Sequence, residues 1–344
     1  MRLFLLISVT LLLTSCKPDK KETKQSEKQN NPYDFVIAFG SCNNQNLPNP
    51  FWNEILQNNP NIWIWGGDII YADTDNMKLM KSYYDQVKND SVYSKFSKKA
   101  ELLGTWDDHD YGLNDGGEEY TKKDSAQQLF LDFFDVSKND IRRTRKGVYN
   151  SKTYTINNKT IKVIVLDTRY FRTPLSKDPT GEKRYIPDTT SSGTMLGEEQ
   201  WEWLENELKN TTSDFNIIMS SVQFLSYEHG FESWGNMPHE VKKLKNLIVN
   251  SKAKGVILLS GDRHISEISS VKIDSLSYPL IDFTSSGLTH SYTSYSFEPN
   301  QYRITDVIND KSYGLLNFDL NNNKVVMEIR GANNKVLATY TQQY

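Results

Sequence analysis

Cys42, Asp68, Tyr71, Asp107, Asp108, His109, Asp110, Asp262 and His264 are the residues whose types and placement could do chemistry. They offer a thiol, a phenol, carboxylates and imidazoles, which bind metal ions and carry protons. Cys42 follows the apolar run 35–39, Asp68 follows 62–65, and Asp262 and His264 follow 255–259. Residues 107–110 read Asp-Asp-His-Asp and are expected in a loop. Singly, each signal is weak. An Asp after a strand often caps a helix, Tyr71 alone reads as core, and His264 alone reads as a surface imidazole. Together they place like-charged carboxylates at one edge of one sheet, an arrangement that is costly unless cations neutralise it.

The positioning elements follow from hydrophobic pattern. Residues 35–39, 62–65, 161–166, 216–219 and 255–259 are short apolar runs that end in polar or glycine-rich sequence. Such runs read as strands buried on both faces. Helical patterns lie between them at 50–58, 78–99 (as two helices), 124–134, 197–208 and 238–249. In the fourth, Trp201, Leu204 and Leu208 share one face; in the fifth, Pro238 occupies the first turn. Strands alternating with helices argue an α/β fold with its reactive residues at the carboxyl ends of the strands. The stretch 313–340 differs: three alternating segments separated by Asn- and Gly-rich turns read as an antiparallel meander.

Composition narrows the class. With 37% hydrophobic and 12% aromatic residues, the 344-residue chain is not mainly disordered. Its 40 Lys+Arg against 43 Asp+Glu give a net charge of −3, so no global basic field attracts nucleic acid. The opening residues form a basic start and an apolar run at 3–13, too short to span a bilayer. Leu13-Thr14-Ser15-Cys16 then resembles a bacterial lipobox. The expectation is a lipoprotein signal peptide at 1–15, lipidation of Cys16, a polar tether at 16–31, and one domain at 32–344. The bilayer is thus an expected partner through Cys16. A lipidated Cys16 leaves Cys42 as the only other cysteine, so no disulfide can form within the exported domain.

Six motifs carry a resemblance: Gly40-Ser-Cys42, Gly67-Asp-Ile-Ile-Tyr71, Trp106-Asp-Asp-His-Asp110, Leu166-Asp-Thr-Arg169, Glu232-Ser-Trp-Gly-Asn236 and Gly261-Asp-Arg-His264. In this order the chain resembles the alkaline phosphatase D (PhoD-like) family of calcineurin-like metallophosphoesterases, from about residue 35 to 340. The resemblance implies a four-layer α/β/β/α sandwich with mixed sheets and metals at the strand ends. It implies Cys42, Tyr71 and His264 on a first metal, Asp68 bridging, and Asp108 and Asp262 on a second. It also implies ferric iron in the first position and calcium in the second, which suits the softer and the all-carboxylate ligand sets. His109 and Asp110 match the superfamily's His–carboxylate pair, in which the imidazole serves the leaving oxygen and the carboxylate orients it. Longer relatives carry a further N-terminal β-domain and a C-terminal helix; the matched segments here include neither, so a more open site is expected. Asn114 and Asp115 are either ligands of a third ion or, as Asn-Asp-Gly-Gly suggests, a turn. Arg169 either grips a phosphate oxygen or closes an internal salt bridge. His229, His239 and His290 are expected in loops near the edge and are not assigned as ligands.

The expected activity is hydrolysis of phosphate mono- or diesters at the cell envelope, by a metal-bound hydroxide attacking phosphorus in line. The expected protein is a monomer acting on a phosphate-ester substrate, with no nucleic-acid scaffold role. Two rivals remain: a phospholipid- or nucleotide-diester hydrolase on the same site, with specificity in loops 173–197 and 287–308, and a surface glycan-binding lipoprotein. The lipobox generates a prediction of its own. Cys16→Ala should move the protein from the membrane to the soluble fraction, since the acyl chains supply the affinity a polar tether lacks. Mutant protein that still sediments with membranes counts against lipidation.

Overall fold

The structure, a computed structural model, describes residues 32–344. The expected signal peptide, the expected lipidation site Cys16 and the expected tether therefore lie outside the described residues.

Twelve strands form two six-stranded sheets among the described residues. In the first sheet, β1 (Phe35–Gly40), β2 (Ile62–Gly66) and β3 (Glu101–Thr105) run parallel. The expected meander joins them: β10 (Tyr313–Asp319) pairs antiparallel with β1, followed by β11 (Lys324–Arg330) and β12 (Val336–Gln343). The second sheet has a parallel centre of β5 (Lys159–Val165), β6 (Phe215–Met219), β7 (Val256–Ser260) and β9 (Leu280–Ser285). Its edges, β4 (Asn150–Ile156) and β8 (Ser266–Val271), are antiparallel.

The four layers follow from the two-residue period of a strand. Phe35, Ile37 and Phe39 face the second sheet, whereas Val36 and Ala38 of the same strand face the helices outside the first sheet. Across the interface, Ile217 and Met219 point to the first sheet while Ile218 points to the opposite helical layer. A run that must satisfy both faces has no polar position, which is why these strands read as unbroken apolar sequence. Outside the first sheet pack α1 (Trp52–Gln57), α2 (Met77–Asn89), α3 (Ser91–Phe96) and α5 (Lys123–Phe133). Outside the second lie α6 (Gly197–Lys209) and α7 (Pro238–Ser251), with Trp201, Leu204 and Leu208 buried as their spacing requires.

Two expectations change. The candidate residues do not share one edge of one sheet: those after β1, β2 and β3 belong to the first sheet, and those after β7 to the second. The 107–110 segment is not a plain loop but includes a single helical turn, α4 (Asp108–Tyr111), directly after β3. β3, β4, β8 and β9 had no clear apolar signature. β4 is a half-exposed edge, β8 is serine-rich, and β9 carries the buried Asp282, whose carboxylate accepts from two backbone amides and Ser260.

Candidate metal centre

The strand ends turn sharply where they reach the site. Cys42, Asp68, Asp262 and His264 have φ of 60°, 51°, 65° and 53°, in the left-handed region. Each such non-glycine residue is strained by roughly 1–3 kcal/mol and persists only where its surroundings hold it. Gly67, at φ 98°, precedes Asp68, and a Cβ there would lie 2.4 Å from the Asp107 Cβ. Its bare backbone therefore lets the β2 end sit against the β3 end. Gly261 makes the joint between sheets: a Cβ would meet the Ser41 Oγ at 2.6 Å and the Gly66 carbonyl at 2.7 Å.

At that joint the first ligand group assembles. The buried Cys42 thiol lies 3.3 Å from Asp68 Oδ2 and 3.0 Å from Ser286 Oγ. The Tyr71 hydroxyl is 3.2 Å from the same carboxylate oxygen and 3.0 Å from His264 Nε2. Donor atoms of Cys42, Asp68 and His264 lie within 4.8 Å of one another, as do those of Asp107, Asp108 and Asp262. The other oxygen of Asp68, Oδ1, is buried without a hydrogen-bond partner. A convergent thiol, phenol and imidazole beside an orphaned carboxylate oxygen fit a cation, and the Asp108–Asp262 pair fits a second.

Electrostatics point the same way. Burial raises the Asp68 carboxyl well above the usual range, and Cys42 and Asp108 raise it further. Asp262 is raised well above its usual range by burial and by Asp107 and Asp108. Burial pushes Asp107 up to about 7 despite the Arg169 guanidinium. Asp108 is the exception: burial raises it, but Arg169, His109 and two backbone amides outweigh burial and leave it lowered. Burial likewise pushes the Cys42 thiol up to about 12 and the Tyr71 phenol well above its usual value. Asp108 apart, these groups resist ionisation as a bare cluster, and bound cations would reverse that balance.

His109 does not pair with Asp110. Its Nδ1 lies 2.6 Å from Asp73 Oδ2, while the Asp110 carboxylate accepts from the backbone amides of Asp68, Ile69 and Asp107. Consecutive side chains on a helical turn diverge by about 100°, so neighbours in sequence could not share this bond. Asp110 is thus the clamp that ties the β2 end to the β3 end. Asp73, five residues after Asp68, carries no signal of this role in the sequence, because an acid in a polar loop looks like solvated surface. Burial would lower the His109 pKa, but Asp68, the bond to Asp73 and the charge of Asp108 carry it up to about 11.

Arg169 is fully buried, with Nε 2.6 Å from Asp107 Oδ1 and an amino group 2.6 Å from Glu232 Oε2. Of its two expected roles, this geometry supports the internal salt bridge. Arg172 joins Glu232 at 3.1 Å, making a buried network of two guanidiniums and two carboxylates. Asp115 is held by Arg184 and the Tyr185 hydroxyl, and its backbone amide donates to Asp108 at 2.7 Å. Its carboxylate is therefore already paired with a cation. His290 packs against Tyr71 and His264, with ring centroids 5.0 Å and 4.4 Å away. His229 and His239 instead bond the backbone at Ser226 and Gly193.

The family profile described as PhoD-like phosphatase matches residues 37–336, and the chain belongs to that family. Alkaline phosphatase D of Bacillus subtilis (strain 168) is 27% identical over 118 residues, 32% of this chain and 20% of that protein. The match thus spans about a fifth of the curated relative's length. The solved structure of PhoD superposes with a TM-score of 0.73 at 18% identity, covering 91% of this chain and 70% of that one. A dimetal phosphatase from Danio rerio gives a TM-score of 0.54 at 12% identity, covering 91% and 99% respectively. These two likenesses show the expected metallophosphoesterase fold.

Two measurements test this account. Arg169→Met leaves Asp107 and Glu232 buried without their shared cation, and unfolding should show a loss of roughly 3–5 kcal/mol. A raised KM with an unchanged unfolding curve would instead return Arg169 to the substrate. The second concerns pH in chelated protein. Carboxyls with raised folded pKa favour the fold while protonated, and that contribution is lost as pH rises through about 7, where Asp107 and Asp110 titrate. The unfolding midpoint of chelated protein should therefore fall between roughly pH 4 and 7 relative to the metal-loaded form. Parallel curves would show that the cluster does not govern stability.

Proposed function

We propose that the chain is a metal-dependent phosphoesterase, an alkaline phosphatase or phosphodiesterase, exported and lipid-anchored at the bacterial cell envelope. The observation that carries it is the convergence of Cys42, Asp68, Tyr71 and His264, with Asp108 and Asp262 beside them, in a chain of the PhoD-like phosphatase family. Leu13-Thr14-Ser15-Cys16 supports the anchor, and among the described residues no helix is long and apolar enough to cross a membrane. The glycan-binding alternative finds little support, because six tryptophans (52, 63, 65, 106, 201 and 234) are buried rather than presented as a platform.

Cys42, Tyr71 and His264 with Asp68 would hold the first cation, for which iron suits a thiolate–phenolate–imidazole set. Asp68, Asp108 and Asp262 would hold the second, for which calcium suits oxygen ligands. Bound cations would supply Lewis acidity and positive charge for the phosphate oxygens. The chain's own part falls to His109. Asp73 accepts the Nδ1 proton, which fixes the ring and leaves Nε2 to hold a proton for the departing oxygen. Tyr71 packs on the same ring, 4.2 Å between centroids, and restricts its rotation.

Proton donation matters most for a poor leaving group. His109→Ala should slow alkyl phosphate esters by roughly 10²–10⁴, and p-nitrophenyl esters far less, with metal content unchanged. Asp73→Asn should give the same pattern more weakly. Equal losses on both ester types would mark His109 as an electrostatic clamp, and wild-type rates on both would remove it from the mechanism. Elemental analysis of the same preparations tests iron and calcium, and a fully active enzyme containing neither would refute the metal assignment.

A further inference from the structure

A cavity of about 430 Å³ opens over the site, lined by Asp108, His109, Asp262 and His264 among the candidate machinery. Its remaining lining includes Arg184, Arg263 and Phe231, none of which the proposed chemistry uses. Arg184 comes from the 173–197 loop, and its side chain is 50% exposed. Asp115 binds that guanidinium and also accepts from the Tyr185 hydroxyl at 2.6 Å, so the arginine is held at the cavity rather than free to swing. Arg263 is also held. One amino group donates to both oxygens of Glu298 at 2.8 Å, and the guanidinium lies 4.4 Å from the Phe231 ring centre. Arg263 is 8% exposed, yet its Nε is buried with no hydrogen-bond partner.

A guanidinium has five N–H donors in a fixed plane, and one carboxylate leaves several unused. The donors that Glu298 and Asp115 leave free suit an oxyanion, the ligand a guanidinium binds most strongly. Preorganised arginines at the rim suit recognition more than structure, because the exposed one contributes little to stability. We infer that Arg184 and Arg263 form a subsite for a second oxyanion, a carboxylate or phosphate, carried on the leaving portion of the ester. The inference rests on the phosphoesterase reading and names the substrate class within it: esters with two anionic ends, one at the metals and one at the arginines.

Competition tests it on the full-length, metal-loaded protein. Hydrolysis of p-nitrophenyl phosphate or bis(p-nitrophenyl) phosphate, whichever is faster, is inhibited with three ligands. Glycerol 3-phosphate carries one anionic end, 3-phosphoglycerate adds a carboxylate, and glycerol 1,3-bisphosphate adds a phosphate. At least one of the last two should show an inhibition constant about tenfold below that of glycerol 3-phosphate, and the tighter identifies the oxyanion. Arg184→Met should shrink that ratio to about threefold or less, and Arg184→Lys should keep part of it as a point charge without the fork. Equal constants in the wild type, or a ratio that survives Arg184→Met, would overturn the subsite while leaving the phosphoesterase reading intact. Hydrolysis of neither nitrophenyl ester would overturn that reading, and the subsite with it.

Discussion

Asp68, Asp107 and Asp108 are buried where the two sheets meet, with the half-buried Asp262 beside them, and their mutual repulsion bears on everything around them. Carboxylates withdrawn from water are strongly destabilising unless each finds a positive partner. The protein answers in two ways. On the inner side, Arg169 takes Asp107, and with Arg172 it also takes Glu232, so this half of the charge is neutralised by the chain itself. On the outer side Asp68 keeps an orphaned oxygen and Asp262 resists ionisation, so that half is left for something the chain does not contain. The division explains why a fully buried arginine and a set of candidate ligands coexist within one motif-rich region.

Holding such a cluster requires a stiff frame, and the frame is visible in the backbone. Four candidate ligands occupy left-handed conformations at strand ends, where the surrounding sheets over-determine them. Asp110 ties three amides from two of those ends, and Gly67 and Gly261 allow backbone approaches that a side chain would block. The apolar interface between the sheets does the remaining work: Phe39 of the first sheet packs edge-on to Phe283 of the second, 4.8 Å between ring centres. A loop-borne cluster of the same residues would relax apart under its own charge. Seated on two packed sheets, it cannot.

Much of this was legible in one dimension. The inner strands β1, β2, β5, β6 and β7, the five helical segments and the closing meander follow from periodicity alone, because a strand buried on both faces and a helix buried on one leave unmistakable patterns, whereas the central β9 is masked by its buried Asp282. The edge strands β3 and β4 did not announce themselves, since each is half-solvated and its composition approaches that of a loop, and β8, though mostly buried, is hidden by its serines. The ligand types were legible too: cysteine, aspartate, tyrosine and histidine at successive strand ends are a rare coincidence without a shared purpose.

Pairings between distant residues were not legible. Sequence offered Asp110 as the natural companion of His109, and tertiary structure chose Asp73 because the turn of α4 points adjacent side chains apart. Sequence left Arg169 between phosphate and salt bridge, and burial against Asp107 and Glu232 supports the salt bridge. Arg184 and Arg263 carried no signal as a pair, being 79 positions apart by their numbers and joined only by the cavity they line. By itself the sequence determined which residue types arrive at strand ends, since local hydrogen bonding and burial set where strands stop. Which carboxylate meets which cation was decided only by the packing of two sheets, because Coulomb and hydrogen-bond energies depend on distances that the order of residues does not contain.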